Sequence, residues 1–165
     1  MQHVQTRSTT SALVLTAVLI ALATLFTMYT KIPVPGIRGY FNVGDVVIMT
    51  SALLFGRKYG AYIGAIGPAL ADLFLGYAVF VPITFVVKGI EGYLVGTVYN
   101  NKTTTSALVA TIVGGIVIVA GYFIAEYFVF DPGVAIASIL TNAIQAVMSV
   151  IVSIILYAIL RKRLG

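Results

Sequence analysis

Two segments carry pairs of polar residues at a spacing that places them on one helix face. Lys88 and Glu91 are three residues apart, and so are Asn142 and Gln145. At this spacing a lysine and a glutamate can pair, and two amides can bond a ligand or a neighbouring helix. These residues therefore predict either non-covalent binding of a polar small molecule or structural ties between helices.

Further polar residues are candidates for the same site. Tyr122 offers a ring and a hydroxyl, although an interfacial aromatic belt would also explain it. Asp72 and Glu126 fall near predicted helix ends, where solvation and a ligand or gating contact are both open. Asp45 is most simply the N-cap of the apolar segment after it. The predicted substrate-binding residues are Tyr40, Asn42, Lys88, Glu91, Tyr122, Asn142 and Gln145.

Residues for covalent or metal chemistry are missing from the sequence. There is no cysteine, the single histidine is His3 in the polar N-terminal tail, and no paired carboxylates suggest acid–base work. No G-x-x-x-x-G-K-[ST] segment occurs, so ATP phosphates cannot be held by that motif. We therefore predict no catalytic residues, no metal and no cofactor.

The elements that position these residues are membrane helices. Of the 165 residues, 60% are hydrophobic and 9% are charged, and the mean hydropathy is +1.06. A soluble core cannot bury so much apolar surface, whereas a bilayer accepts helices that are apolar all round. We expect an all-α, polytopic protein forming one membrane domain over residues 1–165. The predicted spans are residues 11–29, 46–55, 59–75, 79–99, 105–128 and 134–160.

The second span is short. Ten residues rise only about 15 Å, so this segment should be shielded by its neighbours or completed by loop. Lys88 and Asn142 each fall about nine residues from the outer end of their helices, about 13 Å deep. This shared depth favours a polar pocket between them that opens outward and suits a small heterocycle.

The basic residues mark the ends of the spans. The net charge of +5 therefore indicates topology rather than nucleic-acid binding. With both termini in the cytoplasm, seven positive charges lie inside and two, Lys31 and Arg38, lie outside. We predict the N-in, C-in orientation of a multi-pass plasma-membrane protein. The seven inner residues are Arg7, Arg57, Lys58, Lys102, Arg161, Lys162 and Arg163.

Small residues recur four positions apart, a spacing that lets helix backbones approach closely. We expect the glycine pairs to pack inside the bundle and the alanine pair to face either the bundle or a partner subunit. The pairs are Gly60 with Gly64, Gly92 with Gly96, and Ala17 with Ala21.

Several motifs together resemble the S components of energy-coupling factor (ECF) transporters, in the riboflavin and hydroxymethylpyrimidine branch. The first is Phe41-Asn42-Val43-Gly44-Asp45 after an Ile-Pro-Val-Pro-Gly segment. The second is Lys88-Gly89-Ile90-Glu91-Gly92, which follows a Gly-Pro-Ala-Leu-Ala-Asp segment. The motifs cover about residues 12 to 96.

The resemblance implies a six-helix subunit that binds a vitamin or precursor near the outer side. Such a subunit works with a membrane coupling subunit and two ABC ATPases. The resemblance also implies that Ala17 and Ala21 contact a partner subunit, as the corresponding residues do in the family. Hydroxymethylpyrimidine is the favoured ligand, with pyridoxine and riboflavin as alternatives. Two other functions stay open: a membrane scaffold, and a small ion-coupled exporter in which Glu91 or Asp72 carries a proton.

Overall fold

Six helices dominate the computed structural model, which describes residues 9–33, 40–100 and 103–164. Two short antiparallel strands, β1 (Ile32–Pro33) and β2 (Tyr40–Phe41), pair before the second helix and were not predicted. The helical fold class is confirmed. The helices are α1 (Thr9–Tyr29), α2 (Gly44–Phe55), α3 (Arg57–Phe74), α4 (Phe80–Val98), α5 (Thr104–Val129) and α6 (Pro132–Leu164).

Four helices, α1, α4, α5 and α6, are long and apolar enough to cross a membrane. The other two differ for separate reasons: α2 has 12 residues, and α3 carries the charged residues Arg57, Lys58 and Asp72. Six spans and their orientation therefore remain predictions. The last helix continues past the predicted end at residue 160 to Leu164. The basic residues in its last turn interact favourably with the negative end of the helix dipole and so stabilise that turn.

The short helix α2 is enclosed by the other helices. Ten of its residues are buried, and it packs against α1, α3, α4 and α6. The expectation that neighbours shield this segment is therefore confirmed. The chain reverses from α2 into α3 at Gly56, whose φ of +93° is accessible to glycine at little cost.

Glycines bring α3 and α4 into backbone contact, so the predicted packing of the glycine pairs inside the bundle is confirmed. A Cβ atom at Gly60 would overlap the carbonyl oxygen of Gly92, and one at Gly64 would overlap the carbonyl oxygen of Lys88. At Gly96 a Cβ would overlap the backbone of Arg57. This close approach fixes the depth of Lys88 relative to α3.

The two ends of the bundle differ in charge. We call the end where α2, α4 and α6 finish the basic end, because it carries Arg57, Lys58 and the Arg161, Lys162 and Arg163 run. At the opposite end, where α2, α4 and α6 begin, the charged residues of the described loops are Lys31 and Asp131. The predicted basic residues Arg7, Arg38 and Lys102 lie outside the described residues.

Candidate functional site

A small polar cavity lies toward the end of the bundle opposite the basic end. Its volume is about 40 Å³, enough for a few water molecules. Residues from α1, α3, α4, α5, α6 and the segment before α2 contribute to its wall. The lining residues are Thr27, Asn42, Pro68, Asp72, Phe80, Thr84, Lys88, Tyr122, Glu126, Ser138, Asn142 and Gln145.

Lys88 is the cation among the described residues that line the cavity, and two carboxylates hold it. Its Nζ atom bonds Asp45 Oδ1 and lies 3.6 Å from Glu91 Oε2. All three side chains are buried, and a buried ammonium needs opposite charges and hydrogen bonds to offset its desolvation. The ring centroid of Tyr122 lies 5.4 Å from the same nitrogen, within the range of a cation–π contact. The charge of Lys88 is therefore already compensated within the protein.

The prediction that Asp45 caps the short helix was wrong. The N-cap position is Val43, and Asp45 lies inside the first turn of α2, fully buried. Its carboxylate bonds Lys88 Nζ and also accepts a hydrogen bond of 2.7 Å from Gln145 Nε2. An acidic side chain in the first turn is stabilised by the positive end of the helix dipole. In this structure the main effect of the Asp45 carboxylate is to link α2 to α4 and α6.

Gln145 ties α6 to the beginning of α2. Its Oε1 atom accepts a hydrogen bond of 2.9 Å from the Asn42 backbone N–H, while its Nε2 atom donates to Asp45. The side chain of Asn42 in turn accepts the Gly44 N–H at 2.8 Å. Much of the hydrogen-bonding capacity of Gln145 and Asn42 thus holds the cavity wall together.

A second polar group lies between α5 and α6. Ser138 Oγ donates to Glu126 Oε2, and Asn142 Nδ2 donates to Ser138 Oγ at 3.5 Å. Both Glu126 and Asp72 are buried, with 4% and 3% of their surface exposed. Neither acid is therefore exposed to bulk solvent, and a ligand or gating contact for them stays a prediction.

Two aromatic side chains line the same cavity. The hydroxyl of Tyr122 shares a hydrogen bond of 3.0 Å with that of Thr84, so this tyrosine faces the protein interior rather than an interfacial belt. Phe80 packs against Phe130 with ring centroids 5.4 Å apart. Rings of this kind can pack against a flat heterocycle, and the neighbouring polar groups can orient it.

The predicted site residues fall into four groups. Five of them line the cavity, whereas Glu91 lies behind Lys88 and is fully buried. The backbone of Tyr40 belongs to β2, but its side chain lies outside the described part of the structure. Ala17 and Ala21 are exposed on α1. The five lining residues are Asn42, Lys88, Tyr122, Asn142 and Gln145.

The residues that the sequence analysis missed include Asp45, Ser138, Thr84 and Phe80. One signal was available for Ser138, because it precedes Asn142 by one helical turn. The spacing of four and then three that joins Ser138, Asn142 and Gln145 marks a single polar face on α6. Phe80 and Thr84 carry no comparable signal in so apolar a chain.

A larger groove of about 580 Å³ lies between α5 and α6, away from this chemistry. Its wall is apolar, from Ile112 and Ile116 on α5 to Val147 and Ile151 on α6. Such a surface suits lipid chains and cannot orient a polar heterocycle. The small cavity is therefore the candidate site.

Comparison with known proteins identifies the family. Residues 7–162 match the model of the ECF-type riboflavin transporter, S component. An uncharacterized protein of Pyrococcus woesei is 42% identical over 145 residues, which is 86% of this chain and 96% of that protein. The thiamine precursor transporter HmpT of Lactococcus lactis subsp. cremoris (strain MG1363) is 30% identical over 149 residues, covering 89% of this chain and 83% of that protein.

Solved structures show the same fold. The S component of a bacterial ECF transporter superposes with a TM-score of 0.74 at 22% identity, covering 96% of this chain and 99% of that one. The S component for biotin from an ECF-type ABC transporter gives a TM-score of 0.60 at 19% identity, covering 90% and 94%. Together with the long apolar helices, these findings make the chain a multi-pass protein of the cell membrane. It belongs to the S components of ECF-type transporters, the subunits that bind a vitamin-like substrate.

Proposed function

We propose that this S component captures hydroxymethylpyrimidine in the small polar cavity. The carrying observation is that Lys88, Tyr122, Asn142 and Glu126, from three different helices, line one buried hollow. Sparse polar groups among aromatic and apolar walls are typical of sites that orient small heterocycles. Buried polar groups in a membrane domain also default to a functional interpretation.

The size of the cavity supports a single-ring ligand. A volume of about 40 Å³ must expand less to admit a pyrimidine than to admit the three fused rings of riboflavin. The lactococcal relative, a thiamine precursor transporter by name, supports the same choice. Pyridoxine is also a single ring and is the first alternative, followed by riboflavin.

The lining residues suggest separate roles. Phe80 and Tyr122 would pack against the faces of the ring. Asn142 would hydrogen-bond its edge, because its amide makes one long bond of 3.5 Å to Ser138. Lys88 and Gln145, already bonded to Asp45, would mainly hold the wall in place, with Glu91 behind them. Tyr40 and Asn42 belong to the segment that enters α2 and would complete the outer wall.

The charges at the two ends support an N-in, C-in orientation with six spans. Arg57, Lys58 and the basic end of α6 would lie in the cytoplasm, as the positive-inside rule requires. The cavity then opens toward the extracellular side. The single membrane domain over residues 1–165 would deliver its ligand together with a membrane coupling subunit and two ABC ATPases. The exposed pair Ala17 and Ala21 would supply a close-packing contact with that coupling subunit.

Calorimetry on the purified chain tests this function. We expect hydroxymethylpyrimidine to bind more tightly than pyridoxine and riboflavin. Uptake into liposomes should require the coupling subunit and the ATPases. Saturable binding of none of the three compounds would leave the buried polar residues as helix ties and support a scaffold. Uptake by the isolated chain under a pH gradient would instead support an ion-coupled carrier.

A further inference from the structure

We propose that Thr27, near the end of α1, is a substrate-binding residue whose hydroxyl forms a hydrogen bond with the ligand in the polar cavity. This inference rests on the proposed function and deepens it, because it adds a ligand contact from the helix that otherwise carries only the proposed partner contact. Two observations carry it: an unpaired hydroxyl in the cavity wall, and the space that Gly44 leaves beside that hydroxyl.

The first observation is that the Thr27 hydroxyl has no hydrogen-bond partner. Thr27 lines the cavity and is 1% exposed, and its Oγ1 atom bonds no residue of ranges 9–33, 40–100 and 103–164. Thr50, Glu91 and Ser149 also carry buried, unpaired side-chain atoms, but they do not line the cavity. A buried hydroxyl without a partner is costly. A ligand that fills the cavity can therefore gain a bond to an atom that is already removed from water.

Neighbouring threonines show the arrangement that Thr27 does not adopt. The hydroxyls of Thr16, Thr24 and Thr30 each donate to the carbonyl oxygen four residues earlier, as threonines in helices often do. The hydroxyl of Thr27 does not bond the Ala23 carbonyl oxygen in this way. It is therefore the hydroxyl of this group that remains available to a ligand.

The second observation is the space beside Gly44, the first residue of α2. A Cβ atom at Gly44 would overlap Thr27 Oγ1 and would lie 3.0 Å from Asn42 Oδ1. Because Gly44 has no side chain, the Thr27 hydroxyl and the Asn42 amide oxygen can both occupy this part of the cavity wall. The amide oxygen only accepts hydrogen bonds, whereas a hydroxyl both donates and accepts. Thr27 can therefore bond either kind of polar group on the ligand.

A ligand bonded to Thr27 would connect α1 to a part of the bundle that this helix does not contact. Within the described residues, α1 packs against α2 and α3 and not against α4, α5 or α6. Residues of α4, α5 and α6 also line the cavity. Bound substrate would therefore join these three helices to α1, which carries the exposed pair Ala17 and Ala21.

Two variants at one position isolate the hydroxyl. Thr27→Ser and Thr27→Ala both lose the methyl group and differ from each other only in the hydroxyl. In equilibrium binding of hydroxymethylpyrimidine to the purified chain, Thr27→Ser should stay within about threefold of the wild type. Thr27→Ala should bind at least about fivefold more weakly than Thr27→Ser, because a polar group of the ligand is left unpaired. Without ligand, Thr27→Ala should be at least as resistant to denaturant as Thr27→Ser, because the hydroxyl makes no bond there.

The matched control is Thr16→Ala, which removes a hydroxyl of the same helix that bonds the Ala12 carbonyl and lies outside the cavity lining. It should leave the affinity unchanged. No binding of hydroxymethylpyrimidine to the wild type would overturn the proposed function and this inference with it. The inference alone is overturned if Thr27→Ser and Thr27→Ala bind equally. It is also overturned if Thr27→Ala is the less stable of the two without ligand, because the hydroxyl would then have a structural partner.

Amide hydrogen exchange on the wild type gives a test that needs no variant. Hydroxymethylpyrimidine should slow exchange at the end of α1 that carries Thr27, because a bonded ligand holds this turn against the rest of the bundle. Binding without slower exchange in this turn would overturn the contact with α1 and leave the proposed function in place.

Discussion

Replacing Lys88 by methionine tests whether the buried ammonium holds α2 and α4 together. Lys88 is 1% exposed and its Nζ lies 3.6 Å from Glu91 Oε2 in addition to the bond with Asp45. At an effective dielectric constant of about 20, one charge pair at that distance is worth about 5 kcal/mol. Removing one partner of a buried pair typically costs about 3–5 kcal/mol, because the other charge stays uncompensated. We expect Lys88→Met to lower the free energy of unfolding by about 3–5 kcal/mol.

The assay is denaturant unfolding in mixed micelles, followed by circular dichroism. Methionine keeps most of the volume of lysine, so the loss should come from charge rather than from a cavity. Adding Asp45→Asn and Glu91→Gln to Lys88→Met should recover at least about half of the loss, because no unpaired charge remains. The control, Lys58→Met at an exposed position of α3, should stay within about 0.5 kcal/mol. A Lys88→Met protein as stable as the wild type, or a triple variant weaker than the single one, would refute the reasoning.

Three further predictions concern binding, coupling and packing. Asn142→Ala should weaken hydroxymethylpyrimidine by at least about tenfold, about 1.4 kcal/mol in calorimetry; unchanged affinity would remove this amide from the site. Leucine at Ala17 or Ala21, both exposed on α1, should abolish uptake with the ATPase partners while ligand affinity stays the same, and lost affinity would instead make the pair internal packing. Gly64→Ala should cost about 1–3 kcal/mol of unfolding free energy, because its Cβ would overlap the Lys88 carbonyl oxygen; an equally stable variant would show that α3 and α4 can separate freely.

Much of the fold was predictable because helices in a lipid environment have a strong sequence signal, namely long apolar segments. Long apolar segments and their Pro, Gly and basic breaks locate the helices within a few residues. The glycine spacing predicted close packing inside the bundle, and the structure shows that Gly60 and Gly64 on α3 meet Gly92 and Lys88 on α4. These signals depend only on local sequence.

The candidate site was predictable only in part, because it depends on which faces of different helices meet. Helix depth indicated that Lys88 and Asn142 lie at one level, and both line the cavity. Depth does not reveal rotation, so the sequence could not show that Glu91 lies behind Lys88 and outside the lining. Asp45 was misinterpreted for a related reason. An acid at a helix start has a sufficient local explanation as a cap, whereas its bonds to Lys88 and Gln145 come from residues 43 and 100 positions away.

Native mass spectrometry of the chain, purified from cells grown with B vitamins, tests the capture of a small heterocycle most directly. The account predicts one copurified small molecule with the mass of a single-ring amino heterocycle, retained by the wild type and lost from Asn142→Ala. A preparation that carries only lipid, or a heterocycle that Asn142→Ala retains equally, would contradict the placement of substrate in this cavity.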